Sequence, residues 1–449
     1  MKDLTQGKTG ISIFLFALPM LLGNVLQQTY NIVDTYIIGQ YIGKEALAAA
    51  GASFPVIFLL VSLVIGVTTG TTIIISQYFG AGNIEKVRQS IDTAMIFLFF
   101  ASLALSILGL LLSNTIFRVL KLPDELIPMA TLYFNIYAGS LVLMFGYNVT
   151  SAILRGLGDS KTPLFFLLIS TILNIGLDLL FVIVFHWGIV GVALATAISQ
   201  GVSFFLSVWY LNKYHQLIRF SFKGISFDRT IFRQSLRIGI PTGIQQTLVA
   251  LGMLTLVGIV NQFGTNAIAA YTIVGRIDSI ASMPAMNFSM ALSTFVGQNI
   301  GANKIYRIKQ GLISTIWMSF IVALIISIIA IFLGEYIVSA FTNEKEVIEI
   351  GKSYLTIVGM FYVAFTALFV FNGLLRGAGD TLIPMFITLI SLWVLRIPAS
   401  WLLSKQLGTD GIWWGIPIAW VVGLIISFFY YRTGNWKNKS VLHETYKKH

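Results

Sequence analysis

Two aspartates, Asp34 and Asp178, stand in stretches that carry no other charge and are long enough to cross a lipid bilayer, residues 11–39 and 162–184. An ionised side chain at the centre of a spanning helix costs about 2.5–3.5 kcal/mol on insertion scales, so such residues usually serve ion or substrate handling. Asn174 lies one helical turn below Asp178, and Tyr30 one turn below Asp34, each on the face of its acid. At a rise of 1.5 Å per residue, Asp34, Asp178 and Thr196 all fall about 8–10 Å from the same membrane face. Two carboxyls, an amide oxygen and hydroxyls at one depth supply the hard oxygen ligands that Na⁺ needs. A close pair of acids in a low-dielectric bundle is equally suited to carrying a proton. The plainer alternative is that each Asp hydrogen-bonds a neighbour and locks helix packing.

The elements that must hold these residues are apolar helices. The 449-residue chain is 56% hydrophobic and only 10% charged, a composition foreign to soluble domains. Spans of membrane-crossing length are expected at 11–39, 52–79, 91–112, 129–153, 162–184, 189–211, 236–262, 271–299, 312–333, 347–374, 382–404 and 411–431. The fold class is therefore an all-α integral membrane protein of twelve transmembrane helices, and continuously apolar runs exclude a β-barrel. The first span lacks a small-residue cleavage site and is read as a retained helix. There is no cysteine, and the four histidines show no metal-ligand spacing. With the N-terminus inside, termini and even-numbered connections hold 20 Lys and Arg against 5 in the odd-numbered ones. That asymmetry places both termini in the cytoplasm of a plasma-membrane protein. It assigns the net charge of +11 to topology and anionic lipid rather than nucleic acid.

The chain repeats itself with a period near 221 residues. LRGLGDSKTPLFFLLIS at 154–170 returns as LRGAGDTLIPMFITLIS at 375–391, with ten of seventeen positions identical. SQYFGAGNIEKVRQ at 76–89 returns as GQNIGANKIYRIKQ at 297–310, and Pro19 returns as Pro241. Six spans per copy give parallel repeats: two six-helix lobes, 1–222 and 223–449, related by a pseudo-twofold along the membrane normal with a substrate cavity between them. The polar stretch 212–235 reads as a cytoplasmic linker, with a lipid-surface helix as the alternative. In the Arg-Gly-x-Gly-Asp tracts at 155–159 and 376–380, the glycines permit a tight turn and the Asp can cap the next helix. An Arg–Asp pair across the turn is expected, and a phosphate or substrate site is the other reading.

The copies differ where chemistry is expected. In repeat register Asp34 meets Leu256, Asn174 meets Leu395, Asp178 meets Ala399 and Thr196 meets Ile416. The second half carries its own charges within spans, Arg276, Asp278 and Arg396, read as a structural cluster, with substrate contact or a second coupling site as the alternative. Pro19, mid-span, removes a backbone hydrogen bond. It and Pro241 are either permanent bends or hinges.

NIVDTYIIG in the first span, the SQYFGAGN and GQNIGAN turns, the LRGxGD tracts and RIPASWLL at 396–403 resemble signatures of the multidrug and toxic compound extrusion (MATE) family. The resemblance covers nearly the whole chain. The set Asp34, Asn174, Asp178 and Thr196 resembles the ion-binding constellation of prokaryotic DinF-like members. It implies Na⁺ or H⁺ as coupling ion, no other cofactor, and cavity positions at Gln27 and Tyr30, to which Met283 and Met286 are added as apolar lining. Pro19 matches a family residue whose bending has been proposed, and disputed, to expel substrate. One departure is that NorM-type members carry an acid in the seventh span, and this chain has none. The implied function is cation-coupled antiport of amphipathic, often cationic compounds by alternating access, in a monomer whose partners are those compounds and membrane lipids. One alternative is a lipid-linked sugar or lipid flippase of the same superfamily, which usually has extra helices and a strongly cationic cavity. An intramembrane enzyme would need a nucleophile–base pair or metal cluster that does not appear in the sequence.

Overall fold

The structure, a computed structural model, describes residues 3–214 and 226–442. The centre of the 212–235 stretch and the C-terminal residues 443–449 lie outside them. The described residues are almost entirely helical. Long apolar runs give α1 (Thr9–Ile37), α2 (Lys44–Gly80), α3 (Ile84–Val119), α6 (Lys161–Asp178), α7 (Gly188–Tyr214), α8 (Arg229–Val260), α9 (Thr265–Gly301), α10 (Ile305–Ser339) and α15 (Thr409–Thr433). Two spans are bent. α4 (Ile127–Gly139) meets α5 (Leu141–Gly156) at 48°, and α11 (Lys345–Gly359) meets α12 (Tyr362–Gly377) at 51°. The first break is a Gly139-Ser140 pair, with Ser140 Oγ donating to the Tyr137 carbonyl at 2.8 Å, a common cause of helix kinks. The remaining span combines α13 (Leu382–Leu389), a π turn at Ile390–Arg396 and α14 (Ile397–Leu407).

Each of the twelve expected spans thus falls on one helix or one bent or π-interrupted helix. α9 is less apolar than α2. Its buried stretch from Asn287 to Asn299 is rich in Asn, Ser, Thr and Gln, yet it is 37 residues long, like its repeat counterpart α2. Many buried hydroxyls donate to carbonyls of their own helix, as from Ser53 to Ala49 and from Thr315 to Gly311, which removes the cost of carrying them through apolar surroundings. The α2–α3 turn uses Gly82 at φ 69°, and the α9–α10 turn uses Asn303 at φ 56°, a side chain that tolerates this region.

The chain forms two compact units: residues 18–240, and residues 3–17 with 241 onward. Relative to the 222/223 boundary, two segments are exchanged. The start of α1 packs in the second unit, and the start of α8 packs in the first. Specific polar contacts hold each. In the second unit, Leu4 is fully buried, its N–H donating to Gln298 Oε1 at 2.9 Å, while Arg307 Nη2 donates to the carbonyls of Gln6 and Gly7 at 3.1 and 3.0 Å. In the first unit, Lys86 Nζ pairs with Asp228 Oδ2 at 2.9 Å, and Asp228 Oδ1 accepts from the N–H groups of Thr230 and Ile231, capping α8. Pro19 and Pro241 lie within two residues of the points where α1 and α8 pass between units.

The first unit's apolar core gathers Ile37, Ile38, Phe117, Phe134, Val182, Ile189 and Val192 from six helices and turns. The second unit's centres on Trp413, stacked on Tyr271 at 5.7 Å, with Tyr354, Val358 and Ile416.

Candidate functional site

The acid pair is assembled from three helices of the first unit. Asp34 sits in the last turn of α1, and Asp178 is the last residue of α6. Each is followed by a wide π turn, Ile38–Ile42 and Leu179–Val184. Asp178, and Thr196 on α7, are the polar neighbours of the Asp34 carboxyl. Asn174 Nδ2 donates to Thr196 Oγ1 at 3.4 Å, a long bond. Asp178 is fully buried, Asn174 nearly so at 3% exposure, and Asp34 and Thr196 are half-buried. The four residues of the expected ion site are therefore brought together.

Four of their oxygens are left without donors. Among the described residues, Asp34 Oδ1, both Asp178 oxygens and Asn174 Oδ1 are buried and meet no hydrogen-bond donor. A buried acceptor left so costs about 1–3 kcal/mol, more when charged. Two carboxyls can share a hydrogen bond only while one holds a proton. Otherwise a cation or water must satisfy them. The donor set, all oxygen with two acids, fits Na⁺ or a proton.

Below the acids the same helices line a small, partly open pocket, with room for about one water molecule. Leu167, Ser170, Thr171 and Asn174 form one stripe of α6 at helical spacing, and Thr196, Ser199 and Gln200 face it from α7, with Tyr30 of α1 as the aromatic wall. Sequence reading missed Ser170, Thr171, Ser199 and Gln200. It also missed Tyr133 and Tyr137 of α4, which lie one turn apart on one face, near the acids and Tyr30. The signal was there in the i, i+3, i+4 spacing from Asn174 and Thr196, but single hydroxyls in membrane helices are common. Gln27 is exposed on α1, one turn before Tyr30. Met283 and Met286 lie on α9 in the second unit, the first buried and the second exposed.

The second-half charges group differently from expectation. Asp278 Oδ1 accepts from Tyr362 Oη at 2.7 Å, and Tyr354 and Arg396 complete its surroundings. Arg276 is exposed instead of buried with them, because residues two apart on a helix point to opposite sides. No ion pair crosses the Arg-Gly-x-Gly-Asp turns among the described residues. Asp159 caps α6 through the N–H groups of Lys161 and Thr162, Asp380 accepts from Tyr430 Oη, and Arg376 Nη2 donates to Gln245 Oε1 at 2.7 Å.

The MatE family model matches this chain twice, over residues 19–180 and 241–402, one match per repeat. The probable multidrug resistance protein YpnP of Bacillus subtilis is 34% identical over 436 residues, covering 97% of each chain. The probable multidrug resistance protein NorM of Thermotoga maritima is 30% identical over 440 residues, 95% of this chain and 93% of that one. The crystal structure of a MATE protein in the straight conformation superposes with a TM-score of 0.91 at 23% identity, over 97% of this chain and 98% of that one. With both repeats matched and relatives aligned nearly end to end, the chain belongs to the MatE family of membrane transporters.

Proposed function

We propose that this chain is a cation-coupled multidrug exporter. It carries amphipathic, often cationic compounds outward by antiport, with Na⁺ or H⁺ bound at Asp34, Asp178, Asn174 and Thr196. The observation that carries the reading is the convergence of two acids and Asn174 Oδ1 with buried oxygens that no donor satisfies. The relatives named as multidrug resistance proteins point to the same cargo class. The hydroxyls and amides of α6 and α7 beneath the acids, beside the Tyr30 ring, are the polar and aromatic groups that would contact such a compound.

Coupling requires the cation to favour one arrangement of the protein over the other, since a ligand with equal affinity for both shifts nothing. Pro19 and Pro241, at the crossings of α1 and α8, are the proposed hinges. The protein acts as a monomer in the plasma membrane, both termini cytoplasmic, with its cargo and lipids as partners and no cofactor beyond the coupling ion. The test is counterflow of a fluorescent cationic drug in proteoliposomes, with Na⁺ and pH gradients imposed separately. Drug accumulation driven by either gradient is expected. Accumulation indifferent to both would overturn the proposal.

A further inference from the structure

Asp34 and Asp178 share a backbone feature. α1 turns into the π turn Ile38–Ile42 four residues after Asp34, and α6 turns into the π turn Leu179–Val184 immediately after Asp178. The wide rings are closed by Gly43 N–H to the Ile38 carbonyl and Phe185 N–H to the Leu180 carbonyl, five residues back, both at 3.0 Å. π turns are rare and concentrate at functional positions. The repeat supplies an internal comparison. Where α1 ends in a π turn, α8 ends in a 3₁₀ turn, Asn261–Phe263. The second repeat's π turn, Ile390–Arg396, precedes Ala399, the position matching Asp178, instead of coming after it. The half that has carbon in place of the acids also lacks the π turns behind them.

The two turns pack on each other, and both pack on α7. Each contributes a side chain to one apolar cluster, Ile38 at 3% and Val182 at 5% exposure, where they meet Ile189 and Val192 of α7. Val192 stands one turn before Thr196. Inserting one residue into a helix rotates every later residue by about 100°. Each acid shares a helix face with its anchor four residues on, and the extra residue turns the chain beyond that anchor.

We propose that the paired π turns are positioning elements of the acid pair. By locking Ile38 and Val182 against Ile189 and Val192, they set the separation of the Asp34 and Asp178 carboxyls, and with it the pair's affinity for its cation. The affinity clause rests on the reading of these acids as a cation site; the separation does not.

The chain has no cysteine, so Asp34→Cys/Asp178→Cys places two thiols in a thiol-free background. Dibromobimane, which becomes fluorescent once both its arms are alkylated, reports their proximity in purified protein. Efficient bridging is expected in the double-cysteine protein. At least a tenfold slower rate is expected when Ile183, which is in the π turn, is also deleted. Deleting Val394 from the second repeat's π turn should leave the rate unchanged. Should the Ile183 deletion fail to yield monodisperse protein, Ile38→Ala/Val182→Ala keeps the chain length, removes the anchors, and should slow bridging in the same direction. With the acids restored, either first-unit variant should shift the Na⁺ midpoint of drug binding at least tenfold while drug affinity without Na⁺ is retained. An unbridged parent pair, or bridging indifferent to the first-unit variants, overturns the positioning. Drug affinity in the parent that ignores both Na⁺ and pH overturns the cation-site reading instead.

Discussion

If Asp34 and Asp178 form one site, their neutralisation cannot be additive. Asp34→Asn and Asp178→Asn keep size while removing charge, so packing at the ends of α1 and α6 should survive. Asp34 Oδ1 and both Asp178 oxygens belong to a buried group of oxygens that, among the described residues, meet no hydrogen-bond donor. Truncating one partner of a buried charged pair costs about 2–5 kcal/mol, much of it because the other is left unpaired. At the lower limit, each single substitution weakens the cation about 30-fold, using about 1.4 kcal/mol per factor of ten. Once the first carboxyl is gone the second has lost its partner, so the double variant should fall short of the summed effects by about 0.5–3 kcal/mol, the range for residues in contact. The assay is equilibrium binding of a fluorescent drug to purified protein at fixed ionic strength, titrated with Na⁺ and, separately, with pH. The cation midpoint of each variant gives the cycle. Additive effects within a factor of two would refute the shared site, and unchanged midpoints in the double variant would move coupling elsewhere, with Asp278 the next acid to test.

The remaining predictions concern the scaffold. A Cβ on Gly156 would lie 2.9 Å from Ile75 Cγ2 and 3.0 Å from the Thr72 carbonyl, and one on Gly377 would press into the Ser293 carbonyl, so Gly156→Ala and Gly377→Ala should each lose about 1–3 kcal/mol, seen as a lower melting temperature in detergent. Burial of Asp228 opposes its ionisation, but Lys86 and the Ile231 and Thr230 N–H groups outweigh it and hold the carboxyl below the ordinary range. A depressed folded value means this contribution is complete above the unfolded value near 3.8 and is lost as pH falls below it. Asp228→Asn should remove that acid-side dependence, and Asp228→Ala should cost about 0.5–2 kcal/mol through loss of the α8 cap, both read by thermal unfolding against pH. Arg307→Ala, which strips hydrogen bonds from the carbonyls of Gln6 and Gly7, should cost about 2–3 kcal/mol and expose the N-terminal segment to limited proteolysis. A reporter fused after residue 449 should read as cytoplasmic, and an extracellular signal would reverse the assigned orientation.

Local pattern carried everything that was legible in the sequence. Uninterrupted apolar length fixes the spans, and the duplication exposes Asp34, Asn174, Asp178 and Thr196 because their counterparts are Leu256, Leu395, Ala399 and Ile416. The π turns were invisible, since Ile38–Ile42 and Leu179–Val184 are as apolar as the α-helices before them and differ only in hydrogen-bond register. Tyr133 and Tyr137 were missed because their approach to the acids depends on where α4 packs, a long-range fact. The Arg276 grouping failed for the opposite reason. Proximity in sequence to Asp278 was taken for proximity in space, though two residues along a helix point away from each other.

The clasp around Leu4 sets an order on biosynthesis. Its hydrogen-bond partners Gln298 and Asn299 are made 294 and 295 residues later. At about 5–20 residues per second, the first helix waits roughly 15–60 s in the membrane before its anchor exists. Until then its opening turns must be sheltered by lipid, translocon or chaperone. A ribosome stalled before α9 leaves a nascent chain whose first unit has its own acids in place but whose N-terminal segment has nowhere to dock.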